Sequence, residues 1–177
     1  SQDPDEDPPV ELDQIEVSDY SASDLGEMVQ EISSGATQAL GNIEIDGISS
    51  DNLSSMMEKV TAGATGALGQ ISMEGYSSSN LTTMLSKITS GATSALGDIE
   101  MEGYSSNNLS LMVEKITAGA TSALDEIQLE GFSSDNLSSM VQEITSGATG
   151  ALDEIEMAGF DPSTDVFSMT EKVILGT

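Results

Sequence analysis

Leu137, Met140, Val141, Ile144, Ala148, Ala151 and Leu152 recur at intervals of three and four residues. That spacing lines one face of an α-helix with apolar side chains. Just beyond, the period drops to two. Ile155 and Met157 alternate with Glu154 and Glu156, the pattern of a short strand with one buried face. Ser133, Ser134 and Asp135 precede the helical run and supply N-cap chemistry. Gly159 closes the strand, as Gly47, Gly75, Gly103 and Gly131 close theirs.

The same pattern recurs along the chain with a period of 28 residues, and "GYSSSNL" at Gly75 returns as "GYSSNNL" at Gly103 and "GFSSDNL" at Gly131. Five units start at Tyr20, Ile48, Tyr76, Tyr104 and Phe132. Residues 1–11 read as an acidic, proline-rich, extended leader. Residues 12–159 read as the array, opening on a strand over 12–19 that has no helix before it. Residues 160–177 read as a divergent partial unit, a helix with no strand after it. One helix and one strand per unit predict a right-handed crossover between parallel strands. The expected fold is a single-layer α/β solenoid, with a parallel sheet on one side and parallel helices on the other.

Each predicted helix carries a glycine in its second half, at Gly35, Gly63, Gly91, Gly119 and Gly147, always followed by Ala-Thr. A glycine there costs roughly 1 kcal/mol relative to alanine. Its position beside the apolar face marks it as a packing device between neighbouring helices. Gly41, Gly69 and Gly97 follow the last leucine of their helices, where a C-cap glycine belongs. The outward face, including Gly66 and Gly150, is also built from small residues and suits packing against a further layer of protein.

Charge narrows the partners. The chain has 31 acidic residues against 4 lysines, a net charge of -27. This opposes nucleic acid and anionic membrane as partners. Without cysteine or histidine there is no thiolate metal site and no imidazole base. No apolar run approaches the ~18 residues of a membrane span. No catalytic constellation is present, and the expectation is a protein that is not an enzyme and needs no cofactor. Asp46, Glu74, Glu102 and Glu130 stack in one column beside the turn glycines. They are the only metal candidates, with calcium the ion that oxygen ligands would suit. Asn52, Asn80, Asn108 and Asn136 each begin an N-glycosylation pattern, but helix capping also explains them. The aromatic column Tyr20, Tyr76, Tyr104, Phe132 and Phe160 reads as corner packing.

The two ends suggest a use. The strand without a helix and the helix without a strand would complete one another between molecules, through Leu12, Ile15, Val17 and Tyr20 on one side and Val166, Met169, Val173 and Ile174 on the other. A head-to-tail contact of this kind does not close. The expected function is therefore a structural, self-assembling homopolymer: an exported filament subunit, its signal peptide already removed, working outside the cell or at its surface. The alternative is a monomeric acidic module that binds calcium or a basic protein.

Overall fold

In the computed structural model, residues 20–42, 49–71, 76–99, 105–127, 132–152, 155, 169–171, 173, 174 and 176 are described. Every regular element among them is helical: α1 (Ala22–Gly41), α2 (Ser50–Leu68), α3 (Ser78–Ser94), α4 (Ser106–Ser122) and α5 (Ser134–Gly150). Tight 3₁₀ turns, Ala95–Asp98 and Ala123–Glu126, prolong α3 and α4. The described residues from 169 to 176 are helical as well.

Each helix starts at a serine in extended conformation. Its hydroxyl accepts the backbone N–H three residues on, and in α3, α4 and α5 the Asn at that position accepts the serine N–H in return. This reciprocal cap satisfies two of the donors a helix start would otherwise leave unpaired. In α1 the reciprocating residue is Asp24 rather than Asn.

Consecutive helices do not stack side by side in one layer. The closest pairs are α1 with α3, α3 with α5, and α2 with α4. Odd helices form one layer and even helices a second. One apolar cluster joins the N-terminal halves of α2 and α4 (Leu53, Met57, Leu109, Met112) to the C-terminal ends of α3 and α5 (Leu96, Leu152). The other joins Leu81, Met84 and Leu85 of α3 to Leu68 and Leu124 at the far ends of α2 and α4. The two layers therefore run in opposite directions, and neighbours within a layer run parallel. Tyr76 donates its hydroxyl to the Tyr20 carbonyl at 2.7 Å, 56 residues away, so the structural period is two sequence units.

This helical bundle overturns the α/β solenoid. No strand and no sheet occur among the described residues. In α3 and α4 the apolar stripe is covered by neighbouring helices, which takes the place of a covering sheet. Asp98 and Glu126, expected near the strand starts, close the 3₁₀ turns, and Ile99 and Ile127 follow in extended conformation; the rest of those expected strands lies outside the described residues. Ile99, Ile127 and Ile155 are buried in the helical clusters. The first apolar residue of the alternation therefore plugs a helical core in these units. The filament completed by an N-terminal strand loses its basis with the sheet, and nothing in the helical arrangement bears on an extracellular location. The expected strand over 12–19 lies outside the described residues.

Candidate functional site

Within a layer, one contact is made again and again. A Cβ on Gly91 of α3 would stand 2.5 Å from the backbone carbonyl oxygen of Gln30 in α1. A Cβ on Gly119 of α4 would collide with the Glu58 carbonyl and the Thr61 hydroxyl of α2. One on Gly147 of α5 would collide with the Ser86 carbonyl, and lie 2.5 Å from the Thr89 hydroxyl, of α3. Gly176 meets the Glu114 carbonyl and Thr117 of α4 in the same manner. The missing side chain lets two backbones touch, which admits further bonds. Ser33 Oγ donates to the Ile88 carbonyl at 2.8 Å, and Thr89 Oγ1 donates to the Ile144 carbonyl at 3.1 Å. Asn108 and Asn136 donate their amide N–H to Ser50 and Ser78, at the start of the helix two units back.

Each contact has two sides. The earlier helix offers a face that in α1 is Leu25, Val29, Gln30 and Ser33. The later helix offers a face that in α3 is Met84, Ile88 and Gly91. In α3, α4 and α5 the second face is buried: Met84, Met112, Met140, Ile88, Ile116 and Ile144 are all inaccessible. Its counterpart in α1 is not. Met28 is 44% and Ile32 61% exposed, and a Cβ on Gly35, or on Gly63 of α2, would meet nothing within 4 Å. Met28 and Ile32 line an open groove of about 770 Å³ with Tyr20, Asp24, Glu27 and Glu31. The first face is buried at Leu25, Leu53, Leu81 and Leu109, whereas the same position in α5, Leu137, is 38% exposed. Val141 and Thr145 beside it are half-buried.

The residues singled out in the sequence fall in several places. Leu12, Ile15, Val17 and Val166 lie outside the described residues, as do Asp46, Glu74, Glu102 and Glu130. Met169 and Val173 are buried in the apolar cluster with α4, and Ile174 is 60% exposed. Tyr20, Tyr76 and Phe132 pack against one cluster along the odd layer. Among the described residues no group of three or more acidic side chains is gathered to hold a metal ion. The hydrogen bonds from the Ser21 side chain, and then its backbone N–H, hold the Asp24 carboxyl below its usual range.

Three features escaped the sequence reading. Gly69 ends α2 in ordinary right-handed conformation, and Gly41 is the last residue of α1. Both are glycine because chain from two units on crosses them: a Cβ on Gly41 would lie 2.8 Å from Ile99, and one on Gly69 2.5 Å from the Glu126 carbonyl. Gly66, expected on a free outer face, is buried beneath the Glu126 carboxylate. At the matching place in α1, Gln38 donates to Asp98 at 2.6 Å. Finally, Thr37, Thr65, Thr93, Thr121 and Thr149 each carry a buried hydroxyl with no hydrogen-bond partner among the described residues. The Gly-Ala-Thr repeat marks that column in the sequence, but its burial follows only from the two-layer packing.

No helix among the described residues is long and apolar enough to cross a membrane. Neither a protein-family model nor a curated protein matches this chain in sequence. What distinguishes the molecule is its own geometry: one helix contact repeated inside the chain, with one of its sides open at α1 and at Gly63 of α2 and the other exposed at Leu137 of α5.

Proposed function

We propose that this chain is a structural protein whose copies associate head to tail, the α5 face of one seated on the α1 face of the next. One observation carries the reading. The two exposed faces are the two sides of a contact the chain already makes between α1 and α3, α2 and α4, and α3 and α5. Seating Leu137 and Val141 against Met28 and Ile32 would repeat it, with the Gln142 carbonyl over Gly35. Removing the remaining exposed area of such side chains from water contributes on the order of 1 kcal/mol apiece. The contact is heterologous and does not close on itself, so growth is open-ended. The net charge of -27 opposes it, and association should strengthen as salt screens that repulsion. No reaction is assigned to the chain.

Sedimentation velocity over a range of concentrations and salt tests the proposal. The expected result is a distribution that grows with concentration and with salt up to about 0.5 M. Ile32→Lys on one face, or Leu137→Lys on the other, should stop growth while the helical signal is kept. A single monomeric species under all of these conditions would refute the proposal. It would leave residues 1–19 or another protein as the cover of the α1 face.

A further inference from the structure

Two columns of side chains flank the glycine contact. The residue four before each glycine runs Glu31, Lys59, Lys87, Lys115, Glu143 and, before Gly176, Lys172. The residue five before runs Gln30, Glu58, Ser86, Glu114, Gln142 and Glu171. Where the contact is formed inside the chain, the first column reaches across to the second. Lys87 Nζ of α3 donates to Gln30 Oε1 of α1 at 3.0 Å, and Lys115 Nζ of α4 lies 3.0 Å from Glu58 Oε2 of α2. Gly176, packed on Glu114 and Thr117 as Gly147 is on Ser86 and Thr89, places the C-terminal helical residues next in the even layer, above α4. Glu171 is thus the exposed member of the second column in that layer, and Gln142 is its counterpart in α5. On the opposite side of the molecule Lys59 is exposed and makes no ion pair or hydrogen bond among the described residues.

We infer, resting on the head-to-tail reading, that Lys59 of one copy pairs with Glu171 of the next, and that this pair sets the register of the junction. The chain has matching helix slots in both layers, so a second copy has two ways to sit. In phase, α1 lands on α5 and α2 on the C-terminal helical residues. Glu31 then faces the Gln142 amide and Lys59 faces Glu171, which repeats the internal Lys115–Glu58 pair. Out of phase, α1 lands on the C-terminal residues and Glu31 faces Glu171, carboxylate against carboxylate. The incoming α1 would meet Leu137 and Val141 in phase, and Thr170 and Ile174 out of phase. The charges separate the registers further, because a like-charge contact penalises the wrong one. With so few lysines in an acidic chain, a lysine at this position with no partner among the described residues is the cation that the arrangement requires.

The test uses the full chain with Lys59→Glu, Glu171→Lys, and both together, read by sedimentation equilibrium at about 50 mM salt, where the Debye length exceeds 10 Å. Each single substitution should weaken association roughly tenfold, and the double should return it to within about twofold of the parent. Thermal melting at a concentration too low for association should be alike in all four proteins, because both side chains are exposed. If the parent associates and the single substitutions leave it unchanged, the pair is not formed, although the head-to-tail reading stands. Single losses without rescue in the double also refute the pair. A parent that never associates refutes the pair and the reading together.

Discussion

Gly35 and Gly119 occupy the same place in two helices built on one plan, yet they meet opposite surroundings. Around Gly119 there is no room for a single methyl group, because the Glu58 carbonyl and the Thr61 hydroxyl of α2 already fill the space. Around Gly35 there is nothing within 4 Å. Both bear the helix cost of glycine, and only the interior one recovers it within the chain, through contact with a neighbour's backbone. The glycine at position 35 is suited to a contact that the described residues do not make. The same contrast holds between Ile116, inaccessible, and Ile32, 61% exposed.

Substitution can break that contrast, and the largest effect belongs to the interior. Gly119→Leu forces α2 and α4 apart and should destabilise by roughly 3 kcal/mol or more, measured by urea unfolding. A loss below about 1 kcal/mol would mean that the helices do not meet there. The hydroxyl column sharpens the comparison next. Thr93 is fully buried and its hydroxyl has no partner among the described residues, so Thr93→Val should stabilise by about 1 kcal/mol. Thr149→Val, on the half-buried α5 face, should change stability by less. Gly63→Ala, with open space around it, should raise the stability of the dilute protein by about 0.5–1 kcal/mol, against a loss for Gly91→Ala. The smallest effect comes from acid. The Asp24 carboxyl is held below its usual range, so its capping contribution is present above the unfolded pKa and lost as pH falls through the folded one. Asn80, Asn108 and Asn136 cap α3, α4 and α5 without a titrating group. Acidification should therefore lower amide protection, relative to the intrinsic exchange rate, in the first turn of α1 and not in α3 or α4, whose first turns hold no carboxylate.

Much of the helical layer was legible in the sequence. The serine caps, the apolar stripes and the glycine beside them are short-range signals, and each predicted helix is present at its repeat. The alternation after each helix was misleading. Ile99 is a buried plug that follows a 3₁₀ turn, and two alternating residues cannot distinguish that role from a strand. The pairing of neighbours was hidden too. A 28-residue period does not say whether a helix packs on the next one or on the one after. The tyrosine column carried a trace of the answer, since Tyr20, Tyr76 and Phe132 share one cluster while Ile48 interrupts the sequence series between them. The end faces could not be seen at all before the layers were known. Met28 and Ile32 match core positions in α3, α4 and α5, and only the packing shows them uncovered. Lys59 gains its meaning in the same way, from the offset between the two columns across the contact.

The central claim is that the α1 face awaits the contact that the interior helices already have. The double substitution Gly35→Ala, Gly63→Ala tests it most directly, with stability and mass measured on the same samples. The account predicts that the dilute protein melts at or above the parent's temperature, while association weakens at least tenfold because each new methyl group meets the backbone of the incoming copy. Association as strong as the parent's, with the methyl groups in place, would contradict it.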